Sequence, residues 1–100
     1  MSTTVVRYKV KADHAEENRN FIREVFADLE NNKPQGLRYV SFNLEDGVSF
    51  VHVAIVETAD GKNPLPETAA FKQFVANIRD RCDEPPVAMT ADMIGSYGFM

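Results

Sequence analysis

LRYVSFNLEDGVSFVHVAIVE, residues 37–57, is two apolar, β-rich runs joined by Asp46-Gly47. Asp-Gly between alternating apolar residues is the strongest short hairpin signal a sequence can carry. A two-residue type I′ turn is expected there, since both of its central positions need φ > 0. That turn sets Glu45 opposite Val48, Asn43 opposite Phe50, Ser41 opposite His52 and Tyr39 opposite Ala54. Side chains alternate between the two faces of a strand. One face then carries Val40, Phe42, Leu44, Val51, Val53 and Ile55, and its apolar character predicts a core beneath helices. The other carries Leu37, Tyr39, Ser41, Asn43, Val48, Phe50, His52, Ala54 and Val56. It is too apolar for a solvent face, so it also requires cover.

Working outward, Val6, Tyr8 and Val10 alternate with Val5, Arg7 and Lys9 in a first strand over 4–11. Val6, Tyr8 and Val10 are the more apolar side and are expected to face the helices. That would leave Arg7 and Lys9 on the mixed face with His52. Asp13 and Glu16 read as a capping box opening a helix that runs to about Asn32. Its stripe is Phe21, Ile22, Val25, Phe26 and Leu29. Pro34 and Gly36 end it. After the hairpin, Asp60-Gly61 and two prolines make 58–66 a loop. A second helix is predicted over 67–82, with Phe71, Phe74, Val75, Ile78 and Cys82 as its stripe, stopped by Asp83-Glu84-Pro85-Pro86. A fourth strand is predicted over 87–94. The order β-α-β-β-α-β predicts one α+β domain over residues 1–100, with two helices on one face of a four-stranded antiparallel sheet in the ferredoxin-like arrangement.

Composition narrows the function. The 100 residues carry a net charge of −4 with 11 dispersed Lys and Arg, which offers phosphates no basic patch and argues against a nucleic-acid partner. One cysteine excludes an internal disulfide framework. No signal peptide or membrane-spanning run is read, so the expected location is the cytoplasm. Two histidines without paired cysteines give no metal-ligand spacing, and no phosphate-cradling glycine loop or nucleophile elbow is present. No metal or cofactor is expected, and no motif names a reaction.

His52 is the first candidate for chemistry, because an imidazole can take a proton from a phenol or enol. Asn43, Ser41 and Tyr39 share its face and can donate to the oxyanion formed. Phe50 can wall the site against water, and Arg7 can pair with a substrate carboxylate or phenolate. His52 and Asn43 are therefore the candidate catalytic pair, with Arg7, Tyr39, Ser41 and Phe50 as candidate substrate contacts. The competing expectation makes His52 a hydrogen-bonded residue in a packed interface. Cys82, on an apolar stripe, reads as structural.

The chain resembles the antibiotic biosynthesis monooxygenase-like dimeric α/β-barrel proteins. The resemblance rests on Gly36-Leu37-Arg38-Tyr39, on Asp46-Gly47-Val48-Ser49-Phe50-Val51-His52-Val53, and on Pro64-Leu65-Pro66-Glu67 leading to Ala70-Phe71-Lys72-Gln73-Phe74. It implies a homodimer whose protomers meet through their uncovered sheet faces. It further implies a cavity for a small apolar or aromatic molecule. Family members include cofactor-independent oxygenases of aromatic polyketides and haem-degrading enzymes, so the resemblance allows a cofactor-independent monooxygenase of an aromatic or quinol-type substrate. The haem-degrading members carry an Asn, Trp and His set, and this chain has no tryptophan. The alternative is a non-catalytic dimeric module whose mixed face is only a packed interface.

Overall fold

A computed structural model describes residues 1–99. Strands β1 (Ser2–Val10), β2 (Leu37–Asn43), β3 (Ser49–Val56) and β4 (Cys82–Ala91) form one antiparallel sheet in the order β2-β3-β1-β4. Helices α1 (Ala15–Asn32), α2 (Ala69–Val75) and the single turn α3 (Ile78–Arg81) connect them, with short 3₁₀ turns at Ala12–His14 and Leu65–Glu67. This is the ferredoxin-like α+β fold.

The hairpin register is the expected one: Asn43 pairs with Phe50, Ser41 with His52 and Tyr39 with Ala54. The turn differs from expectation. Gly47 alone has positive φ, +80°, and its N–H donates to Leu44 O, so this is not the type I′ turn. Asp46 explains the difference. Its carboxylate accepts the Val48 and Ser49 N–H groups and the Ser49 hydroxyl, and so holds the turn from outside. The expected Glu45–Val48 pair does not form, because the ladder ends at Asn43 and Phe50.

The two faces are the reverse of the expectation. Phe50, His52, Ala54 and Val56 are buried, and they share their side of the sheet with Tyr8 and Val10. The helices therefore cover the mixed face. Val40, Phe42 and Leu44, predicted as core, are exposed, as are Val87 and Met89 on β4. β1 decides the matter. Val6 lies opposite His52 and Tyr8 opposite Phe50, so the side of β1 that meets the helices brings the mixed face with it. Arg7 lies opposite Val51, on the open face, and not beside His52. The mixed face is covered within the chain, so its burial needs no second copy.

α1 begins one residue past a 3₁₀ turn, and Asp13 forms no capping box. His14 occupies the cap position, but its side chain bonds Glu17 (2.8 Å) rather than a backbone N–H of the helix, while Glu16 instead binds Arg19 (2.8 Å) and Arg23 (3.1 Å) one and two turns on. The helix ends at Lys33 in the left-handed region (φ 46°), whose N–H returns to Leu29 O. The second helix is broken: Asn77 at φ 62° separates α2 from α3. The buried Arg81 holds the elbow, donating to Phe74 O (2.5 Å) and Ala76 O (3.1 Å) and lying 4.6 Å over the Phe21 ring. At its other end, α2 gives the Ala70 N–H to Asp28 of α1 at 3.1 Å. β4 starts at Cys82, five residues earlier than predicted, and runs through Pro85-Pro86. An edge strand tolerates prolines that a central one would not. Cys82 is buried, as its apolar-stripe position suggested.

Gly36 shows where the fold admits no side chain. A Cβ there would lie 2.6 Å from Glu57 O, and its φ is +79°; its own carbonyl accepts the Glu57 N–H at 2.7 Å. Gly47 has the same φ, with nothing within 4 Å of a Cβ. Gly47→Ala is therefore expected to cost about 1 kcal/mol from backbone strain alone. Gly36→Ala adds a backbone clash and is expected to cost at least about 2 kcal/mol more. Paired urea melts of the two variants measure the difference, and equal losses would refute the clash.

Candidate functional site

The register that sets Ser41, His52 and Val6 side by side on three adjacent strands builds a polar hub beneath the helices. His52 is 3% exposed. Its Nε2 lies 2.8 Å from the Tyr8 hydroxyl. Its Nδ1 lies 2.8 Å from the Tyr39 hydroxyl and 2.6 Å from Ser41 Oγ. Behind Tyr8, the fully buried Asn18 of α1 donates its amide to the Tyr8 oxygen at 2.9 Å. β1 and β2 thus converge on the imidazole of β3, with α1 behind Tyr8, and both ring nitrogens are satisfied. The rings also stack near-parallel: Tyr8 and His52 centroids are 5.4 Å apart, Tyr39 and His52 5.8 Å, and Phe50 backs Tyr8 at 5.5 Å.

Burial sets the charge state. Desolvation pushes His52 down to about 4, so the ring is neutral at pH 7. Desolvation pushes Tyr39 up to about 12 against a smaller opposing effect of the neighbouring Ser41 hydroxyl, and it raises Tyr8 further. The hub carries hydroxyls and an imidazole but no net charge.

Next to the hub is a half-open cavity of about 260 Å³. Tyr8, Tyr39 and His52 form its polar wall, and Phe71, Phe74 and Ile78 its apolar one. Val75, at the end of α2, is a partly exposed lining residue. Among the described residues, no group of three His, Cys, Asp or Glu side chains is placed to hold a metal ion, and no helix is long and apolar enough to cross a membrane.

Of the six residues singled out from the sequence, the structure brings His52, Tyr39 and Ser41 together. Phe50 is 1% exposed and stacks behind Tyr8, outside the cavity wall. Asn43 is exposed and engaged elsewhere: its Oδ1 accepts from Arg19 at 3.0 Å and its Nδ2 donates to Ser49 O. That pair ties α1 to the hairpin and leaves Asn43 out of the hub. Arg7 lies through the sheet on the open face. Tyr8 and Asn18 were missed. Tyr8 was legible as a helix-facing residue, and a buried histidine on the adjacent strand needs a partner of that kind. Nothing in the helix pattern marks Asn18.

No protein-family model and no curated protein matches the chain. Solved structures do. One, assigned as an antibiotic biosynthesis monooxygenase from Nitrosomonas europaea, is 21% identical with a TM-score of 0.77, over 95% of this chain and 100% of that one. Another with the same assignment, from Bacteroides thetaiotaomicron, is 13% identical with a TM-score of 0.77, over 93% and 89%. SnoaB, a cofactor-independent oxygenase from Streptomyces nogalater, is 15% identical with a TM-score of 0.69, over 97% and 96%. At these identities the likeness is one of fold. The chain has, along nearly its whole length, the fold of the antibiotic biosynthesis monooxygenase-like proteins.

Proposed function

We propose that this protein is a homodimer that binds a small, uncharged aromatic molecule in the cavity beside His52. The observation that carries this reading is the pairing of a neutral hydrogen-bonding hub with apolar walls around one space. An apolar cavity of about 150 Å³ holds benzene, so about 260 Å³ suits one or two fused rings. A charged ligand would meet no compensating charge among the groups of the hub.

The reaction that suits such a site is cofactor-free oxygenation of a quinol-type substrate, with His52 as the base. A neutral imidazole linked to two tyrosine hydroxyls can accept a proton from an acidic enol or quinol. Burial opposes the imidazolium, but an oxyanion generated beside it restores much of its basicity. The aromatic-lined space then holds the electron-rich anion for oxygen. The low His52 pKa equally suits a binder without catalysis, and oxygen uptake distinguishes the two.

The open face supports the dimer. Phe42 is 48% and Met89 65% exposed, and Val40, Leu44 and Val87 extend the same apolar surface across the sheet. Apolar patches of this continuity mark association sites, and two-fold pairing is the commonest solution. Arg7 on this face suits an interface, where arginine is enriched.

Three measurements test this reading. 2-Naphthol should raise the melting temperature, and Val75→Trp, filling the mouth of the cavity, should weaken its binding at least about tenfold with the fold intact. His52→Ala should lower oxygen uptake with a naphthoquinol by about 10² or more while the dimer persists; equal uptake would remove His52 as the base, and wild-type uptake no faster than without protein would leave only the binder. Light scattering at micromolar concentration should give twice the chain mass, and Phe42→Asp should lower it. A wild-type monomer would sink the dimer.

The buried ring also predicts a pH dependence. The His52 pKa is lower in the folded chain, about 4, than its ordinary 6.5. The unfolded chain therefore binds the proton first as pH falls. The stabilisation is fully present above pH 6.5 and is lost between 6.5 and 4, on the order of 3 kcal/mol in all. Urea midpoints across that window should fall for the wild type and much less for His52→Gln.

A further inference from the structure

A neutral imidazole has one N–H and one lone pair, yet His52 has three hydroxyl neighbours. Which hydroxyl gives a proton and which receives one is settled outside the cavity, at Asn18. This residue is wholly buried, and its amide is oriented so that Nδ2 donates to the Tyr8 oxygen while Oδ1 has no partner. The reverse orientation would strand an NH₂ group with two protons. A buried carbonyl without a partner is better tolerated than a buried N–H.

The consequences run along the chain of contacts. Tyr8 oxygen already receives the Asn18 proton, so the Tyr8 hydroxyl is free to give its own to His52 Nε2 at 2.8 Å. Nε2 then holds the lone pair, and the ring proton sits on Nδ1. Nδ1–H is shared between Ser41 Oγ and the Tyr39 oxygen, both receiving. Neither spends its hydroxyl proton on the ring. Tyr39 lines the cavity and Ser41 does not. In the opposite tautomer the Nδ1 lone pair would draw on one of those two hydroxyl protons.

We propose that Asn18, acting through Tyr8, fixes His52 in its Nδ1–H form and thereby frees the Tyr39 hydroxyl proton for an acceptor oxygen on the bound molecule. The ligand class is thus an aromatic compound carrying a carbonyl or phenolic oxygen, rather than a plain hydrocarbon. Asn18 is a positioning residue, since it does not line the cavity. The tautomer stands on the contacts alone; the donor role of Tyr39 rests on the cavity being a ligand site.

Nitrogen-15 NMR of the histidine-labelled full chain reads the two ring nitrogens separately. The wild-type His52 should show a protonated Nδ1 and a bare Nε2. Asn18→Leu removes the donor and should yield a mixture of both tautomers. A wild-type ring protonated on Nε2 overturns the proposal whether or not the variant folds, and so does a single unchanged tautomer in Asn18→Leu. The donor role is read with 1-tetralone, a two-ring aryl ketone, against tetralin, the matching hydrocarbon. Tyr39→Phe should weaken 1-tetralone about tenfold, the worth of one hydrogen bond, and leave tetralin unchanged. Equal losses, or none, overturn the donor role. A wild type that binds neither compound overturns it together with the ligand reading, while the ring spectrum still decides the tautomer.

Discussion

A histidine that has lost its water must find two partners, one for each ring nitrogen, and the placement of His52 organises this protein around that requirement. Its partners come from β1, from β2 and, at one remove, from α1. None of them is close in sequence: Tyr8 is 44 residues away and Tyr39 13. The network can form only when the sheet order β2-β3-β1-β4 places β3 between β2 and β1. A slip of one residue in either pairing would turn Tyr8 or Ser41 to the opposite face and leave a desolvated nitrogen unpaired. The polar network thus acts on register, while the neighbouring apolar contacts of Val10, Val25, Phe50 and Phe74 supply most of the stabilisation from burial.

The same network accounts for which face the helices cover. Apolar content alone favours Val40, Phe42 and Leu44 as core, and the sequence reading followed it. Burial within one chain and burial between chains select the same residue types, so hydrophobicity cannot separate them. β1 could have. Its Val6, Tyr8 and Val10 side was read correctly as helix-facing, and β1 lies beside β3 in a ferredoxin-like sheet. What the sequence lacked was the β1–β3 register, which no turn fixes because α1 and β2 intervene. The hairpin register was legible because Asp46-Gly47 ties its strands directly, even though Asp46 holds the turn by accepting backbone protons rather than by adopting positive φ.

The other departures share a cause in tertiary contacts that override local signals. Asp13 and Glu16 have the spacing of a capping box, but Arg19 and Arg23 offer Glu16 full positive charges along the helix. Residues 67–82 have the stripe of one helix. Arg81 reaching the Phe74 and Ala76 carbonyls closes α2 early, and Asn77 can adopt the left-handed conformation that the elbow needs. Pro85-Pro86 reads as a stop, yet β4 is an edge strand and tolerates missing donors. In the site, His52, Tyr39 and Ser41 were legible from alternation and one turn. Tyr8 needed the register, and Asn18 needed the approach of α1 to β1, a contact with no periodic signature.

The elbow bears on the cavity as well as on the fold. A continuous helix over 67–82 would carry its stripe straight across the sheet and present one row of side chains to the mixed face. The break at Ala76–Asn77 instead lets Phe71, Phe74 and Val75 line the cavity from one segment and Ile78 from the next. Arg81 holds the junction of the two segments. The cavity is therefore bounded on one side by a hub that enforces register and on the other by a helix that has been stopped. The polar wall is fixed by hydrogen bonds and the apolar wall by packing. The sheet side of this space thus presents tyrosine and histidine groups tied to one another, and its helical side presents packed apolar side chains.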